Sequence, residues 1–271
     1  MKLQNKRALI TGGNSGIGLA TAQLFVAEGA RVAILGRSQA KLEAAVKSLG
    51  DGNIGLQADA KDNEATNRAI TQAAEQLGGL DIVIANAGIG GMTPLGQTTL
   101  EAFEDILKTN VTGVFFTVQA ASPYLSSGAS IVIVGSVHAG LGAAGYSAYA
   151  ASKGAVRTMV RVLAAELSPR EIRVNLVSPG PIQTPIWDKY GADAFAALEK
   201  NIAAIVPLGR FGRAEEVAKS ILFLASDDST YIQAADLAID GGMNGAPAAA
   251  PIFRVKPAAA NSESHALSGR S

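Results

Sequence analysis

A short strand, a glycine-rich turn and a helix, met in that order near the start, constrain this chain more than any other feature. Arg7–Thr11 is a short apolar run, followed by Gly12-Gly13-Asn14-Ser15-Gly16-Ile17-Gly18 and by helical periodicity over residues 17–28. Gly12 and Gly16 let the backbone approach a phosphate with no Cβ in the way, and Gly18 lets helix and sheet pack closely. The helix start, with the amides of Asn14, Ser15 and Ile17 around it, offers N–H groups and a positive dipole end to a diphosphate. Taken alone, such a turn is also an ordinary tight strand-to-helix connection.

The remainder of the chain repeats the alternation. Strands are expected at residues 32–35, 53–57, 82–85, 131–134, 172–177 and 237–239. Helical stretches are expected at Gln39–Leu49 and at residues 64–77, 100–125, 149–167 and 214–224. Strand and helix in strict alternation predict an α/β fold: one doubly wound parallel sheet with helices on both faces, a single domain over residues 1–245. From Ala246 to Ser271 the chain is rich in Ala, Pro and Ser and reads as a flexible tail, in which Ile252-Phe253 is able to dock locally.

The second strand ends in Gly36-Arg37-Ser38, about 20 residues beyond the glycines, where an acidic side chain would hold the adenosine 2′-hydroxyl of NAD. There is no acid. Gly36 leaves room, and Arg37 with Ser38 is suited to a 2′-phosphate through charge-assisted hydrogen bonds, which favours NADP(H) over NAD(H). Asp59, followed by Ala60, either accepts from an adenine amino group or caps the next helix. Asn86-Ala87-Gly88, small residues at a strand's C-terminal end, leave a floor for a ribose and a nicotinamide.

Composition removes other classes. Lys+Arg and Asp+Glu balance at 23 each, so no net field draws nucleic acid or an anionic membrane. There is no cysteine, hence no disulfide or thiolate metal site, and His138 and His265 are too few for a histidine-rich zinc site, so no metal is expected. With no secretory h-region and no long apolar stretch, a soluble cytoplasmic protein is the expectation.

Ser136 stands just past a strand end, thirteen residues before Tyr149, and Tyr149-Ala150-Ala151-Ser152-Lys153 opens the following helix. Four-residue spacing stacks phenol and ammonium on one face. A cation ~5 Å away, at an effective dielectric of about 20, favours the phenolate by ~3 kcal/mol, about two pKa units. That brings Tyr149 towards the range of a working general acid/base.

Over nearly its whole length, from about Lys6 to Gly242, the chain resembles a short-chain dehydrogenase/reductase. The matching signatures are Thr11-Gly12-x-x-x-Gly16-x-Gly18, Asn86-Ala87-Gly88, Asn110, Ser136, Tyr149-x-x-x-Lys153 and Asn175-x-x-x-Pro179-Gly180. The resemblance implies a Rossmann-type fold and a ketone/secondary-alcohol oxidoreductase. In it Tyr149 passes the proton, Ser136 binds the substrate oxygen, Lys153 holds the nicotinamide ribose, and Asn110 positions a water in a proton relay. It also implies cofactor contacts at Pro179, Gly180, Ile182 and Thr184. Asn14-Ser15 departs from NADP-preferring relatives, which often carry a basic residue beside the glycine turn. His138 and Trp187 are candidate substrate contacts, with Trp187, Tyr190 and Phe195 in the stretch that forms the substrate lid in relatives. Relatives usually assemble as tetramers through the helices here at residues 100–125 and 149–167. A non-catalytic nucleotide sensor or scaffold, and an epimerase or dehydratase that keeps the cofactor, are the alternatives.

Overall fold

The computed structural model describes residues 1–254, and of residues 189, 190 and 192 the backbone alone. The strands are β1 (Arg7–Thr11), β2 (Arg31–Gly36), β3 (Ile54–Gln57), β4 (Leu80–Ala85), β5 (Leu125–Val134), β6 (Arg173–Pro179), β7 (Ile182–Gln183), β8 (Gly212–Arg213) and β9 (Asp236–Ile239). The helices are α1 (Gly16–Ala27), α2 (Gln39–Leu49), α3 (Asn63–Leu77), α4 (Leu100–Leu107), α5 (Gly113–Ala121), α6 (Ser147–Leu167), α7 (Ala192–Ile205) and α8 (Ala214–Ala225). Seven strands form one parallel sheet in the order β3-β2-β1-β4-β5-β6-β9; β7 and β8 pair separately. Chain order reverses between β1 and β4, which leaves a crevice beyond their C-terminal ends.

Period-two alternation explains the two cores. Leu9, Leu35, Val83, Ile131, Ile133 and Leu176 face one layer, with Ile70 of α3, Val114 of α5 and Val156 of α6. Ile10, Ile34, Ile82, Ile84, Val132 and Val177 face the other, with Phe25 of α1, Leu42 of α2 and Ile221 of α8. A parallel sheet covered on both faces needs apolar residues at both parities, and these strands supply them. Each such side chain, cut back to alanine, would cost about 2–5 kcal/mol.

The other expected boundaries hold within two residues, and two change more. Residues 100–125 are not one helix: α4 passes through a π turn, Lys108–Thr112, into α5, and a 3-10 turn, Ser122–Tyr124, comes next. β5 starts at Leu125, ahead of the apolar run, because Ser126, Ser127 and Gly128 extend the strand with polar or small residues. Gly128 does so at a φ of 77°, and the pairing register with β4 shifts between Leu80 and Ile82. The segment from Ala246 is described to Arg254, and there it makes two 3-10 turns. Ala250 is fully buried, and Arg254 donates from Nη2 to Pro207 O at 2.6 Å. The rest of the expected tail lies outside the described residues. No helix among the described residues is long and apolar enough to cross a membrane.

Candidate active site

The candidate residues gather at the C-terminal edge of the sheet. Gly12 (φ 64°) and Gly16 (φ 53°) adopt backbone conformations that L side chains rarely take. A Cβ on Gly18 would lie 2.3 Å from Gly12 O, so the start of α1 presses directly on the turn. Ser15 stands at the N-cap of α1 with no side-chain bond to the first turn, and the first bond of the helix runs from Leu19 N–H to Ser15 O. The preceding amides, Ile17 and Gly18 among them, therefore have no intrahelical acceptor and suit an anion. Asn86 fixes this turn to β4: its Nδ2 donates to Thr11 O at 2.9 Å and Gly12 O at 3.2 Å. Thr11 Oγ1 in turn accepts from the Asn86 and Ala87 amides, each at 3.1 Å. Thr184 faces the turn from the far side, 3.3 Å from where a Gly16 Cβ would lie. Gly180 is pressed against Asp240 beyond the end of β6, and Ile182 is buried beside it.

At the end of β2, a Cβ on Gly36 would meet the Asn14 side chain at 2.8 Å. Asn14 thus fills the space an acidic residue would need. Arg37 is exposed, and its carbonyl accepts from Gln57 Nε2 at 2.8 Å. Ser38 Oγ caps α2 by accepting from Lys41 N–H, which leaves its own proton free to donate. Asp59 does not cap α3; Asp62 does, accepting from Ala65 N–H at 2.9 Å. Asp59 Oδ1 accepts instead from Lys61 N–H at 3.0 Å, and its neighbour Ala60 packs against Gly113. The glycine turn, the uncapped helix start and the Arg37–Ser38 edge form a donor set that fits a dinucleotide.

Tyr149 and Lys153 share a face of α6, as their spacing requires. Lys153 Nζ lies 5.7 Å from the Tyr149 ring centroid and donates to Val134 O at 2.9 Å. Ser136 is buried just past the end of β5, and its hydroxyl acts to lower the pKa of the phenol. The electrostatics reverse the sequence argument. Burial raises the Tyr149 pKa above its usual value, outweighing the opposite pull of Ser136, and the same burial pushes Lys153 down to about 8. Spacing gives the attraction between the two groups but not the cost of taking the ammonium out of water, and here that cost is larger.

Asn110 sits in the π turn and is fully buried. Its Oδ1 accepts from Ile89 N–H at 2.8 Å, while Nδ2 donates to Ile89 O at 2.9 Å and Ser152 Oγ at 3.1 Å. The extra residue of a π turn swings this amide into the site, a device common at functional positions. Gly88 passes close by, where a Cβ would be 3.2 Å from Asn110 Oδ1 and 3.6 Å from Lys153 Nζ.

Some contributors had no signal in the sequence. Thr93 Oγ1 accepts from Ala148 N–H at 3.0 Å, capping α6 from a distant loop; Ser152 Oγ donates to Tyr149 O at 2.7 Å. Ile186, half-exposed, lies with Tyr149 about Gly90. Trp187 is part-buried, and its indole N–H donates to Ile182 O at 2.7 Å. Its ring packs on Phe195 at 5.9 Å and Phe211 at 5.6 Å, as a large amphipathic ring does in a lid segment. The Tyr190 side chain lies outside the described residues.

A family model described as enoyl-(acyl carrier protein) reductase matches residues 12–244. An oxidoreductase of Sarocladium schorii is 40% identical over 248 residues, 89% of this chain and 97% of that protein. A 3-oxoacyl-[acyl-carrier-protein] reductase of Thermotoga maritima is 38% identical over 249 residues, 90% of this chain and 99% of its own. Among solved structures, a Serratia marcescens short-chain dehydrogenase/reductase superposes with a TM-score of 0.84 at 33% identity, covering 90% of this chain and 99% of that one. A blue fluorescent protein from a metagenomic library, in complex with NADPH, gives 0.83 at 36% identity, covering 90% and 100%.

Proposed function

We propose that this chain, which belongs to the short-chain dehydrogenase/reductase family, is an NADP(H)-preferring oxidoreductase that interconverts a ketone and a secondary alcohol. The observation that supports this reading most is the convergence of Ser136, Tyr149 and Lys153 beside the Gly12–Gly18 turn at one edge of the sheet. Bound there, the nicotinamide dinucleotide supplies or accepts the hydride.

The chain's own residues do the rest. The glycine turn, with Asn14, Ser15, Ile17 and the start of α1, receives the diphosphate. Arg37 and Ser38 bind a 2′-phosphate, and Asp59 with Ala60 borders the adenine. Asn86, Ala87, Gly88, Pro179, Gly180, Ile182 and Thr184 frame the nicotinamide end. Tyr149 protonates the carbonyl oxygen in reduction, and its raised pKa keeps that proton in place at neutral pH. Ser136 donates to the same oxygen as charge builds on it. Lys153, with a pKa of about 8, holds ribose hydroxyls as a donor, gives a proton to the Tyr149 phenolate and then takes one back from solvent. The Asn110 side chain bonds Ile89 and Ser152, which holds the π turn in shape, and at this turn it positions a water that links Lys153 to solvent.

Relatives of this chain include a 3-oxoacyl-[acyl-carrier-protein] reductase, and a solved relative is a complex with NADPH. The first supports a carbonyl substrate and the second NADPH. A tetramer working in the cytoplasm belongs to the same reading, and sedimentation of the purified protein tests the assembly. For the activity, NADPH and NADH are each mixed with a panel of ketones and the reduced-nicotinamide absorbance is monitored. Consumption of NADPH in preference to NADH is expected. A protein that binds NADPH and consumes none would be a nucleotide sensor instead.

A further inference from the structure

The loop after β5 brings a histidine against the serine of the site. His138 Nδ1 is 3.3 Å from Ser136 Oγ, and the His138 backbone N–H donates to that same oxygen at 3.2 Å. The imidazole lies between two tyrosines: edge-on to Tyr149 at 5.3 Å between centroids, and tilted against Tyr146 at 5.3 Å. Burial holds its pKa below the usual histidine value, so the ring is neutral at working pH and has one N–H to place.

Counting protons shows why that placement matters. A serine hydroxyl has one proton and two lone pairs, and the His138 amide already takes one lone pair. With Nδ1 bare, the imidazole is a ready acceptor, and the Ser136 proton turns towards it and away from any substrate oxygen. With hydrogen on Nδ1, the ring fills the second lone pair and the Ser136 proton must point elsewhere. Tyr149, whose ring packs on the same imidazole, marks where the substrate oxygen would lie.

We propose that His138 is a positioning residue: its Nδ1–H donates to Ser136 Oγ in the reacting complex and so commits the Ser136 proton to the substrate oxygen. This rests on the hydride-transfer reading of the site. His138 exchanges no proton with substrate; it keeps its tautomer while Tyr149 delivers the proton that ends on the alcohol.

The test separates donor from packing. In His138→Asn the amide nitrogen stands in for Nδ1, in His138→Gln it reaches the position of Nε2, and in His138→Phe the ring survives with no donor. Single-turnover reduction should stay within about threefold of wild type in His138→Asn and fall about 10–100-fold in the other two, with cofactor affinity unchanged. A phenylalanine variant as fast as the asparagine one, or equal losses in all three, would overturn the proposal. Should the asparagine variant fold poorly, nitrogen NMR on the intact ring decides. The chain has two histidines, so His265→Gln leaves one imidazole to observe. An Nδ1–H tautomer is expected with oxidised cofactor and ketone bound, and an Nε2–H tautomer refutes the idea. A wild type that reduces no ketone would remove the hydride-transfer reading itself, an outcome distinct from a wrong ranking among the variants.

Discussion

Replacing Lys153 with methionine should abolish turnover and yet make the protein more stable at neutral pH. The ammonium is buried, and that burial lowers its pKa from 10.5 to about 8. At about 1.4 kcal/mol per pH unit, keeping it charged costs the native state about 3 kcal/mol. Methionine removes that cost but leaves Val134 O without its 2.9 Å donor, a loss of about 1–2 kcal/mol. The net gain at pH 7 is about 1–2 kcal/mol, a rise in Tm of about 2–6 °C for a chain of this size. The pH dependence has a definite sign. Below pH about 8 folded and unfolded lysine both hold the proton, and the cost is borne in full. Between about 8 and 10.5 the unfolded chain keeps a proton that the native state has lost, so wild-type stability rises relative to the variant. By pH 10.5 the order should reverse, with the variant lacking only the Val134 hydrogen bond. Urea unfolding of both proteins at a series of pH values measures this. A variant less stable at pH 7, or a difference that does not move with pH, refutes the reasoning.

The same geometry predicts the outcome of other perturbations. Arg37→Ala should lower the NADPH-to-NADH efficiency ratio about 10–100-fold, the value of one or two charge-assisted hydrogen bonds, as measured by kcat/KM with each cofactor. Gly36→Asp in that background should move preference to NADH only when Asn14 is also reduced to Ser, because the Asn14 side chain occupies the space the carboxylate needs. Ile186→Asp should raise KM for an apolar ketone and leave cofactor affinity unchanged, since this half-exposed lid residue and Tyr149 both lie against Gly90; an unchanged KM would take Ile186 out of the substrate pocket.

Much of this architecture is legible in the sequence because it rests on local rules. The limits of Arg7–Thr11 and Gln39–Leu49 coincide with the observed elements, the first closed by a glycine turn and the second opened by a serine cap. Apolar runs locate the central strands because both faces of a parallel sheet are buried. What stays hidden depends on tertiary context. Periodicity treats residues 100–125 as one helix, since an inserted π residue barely alters the spacing of apolar positions. Thr93 caps α6 from 55 residues away, with no local motif to announce it. Asp59 and Asp62 look alike as caps until the backbone chooses one. The Tyr149–Lys153 pair shows the division most clearly: spacing sets their proximity, and burial, which sets their proton affinities, is a property of the whole fold.

The central claim is that the Tyr149 phenol passes the proton that accompanies hydride transfer. Single-turnover oxidation of bound NADPH by a ketone, in wild type and in Tyr149→Phe, tests it most directly. The account predicts that the variant binds NADPH as wild type does and that its transfer rate falls by about 100-fold or more, within the range of a lost general acid. A variant that oxidises NADPH at the wild-type rate would contradict it.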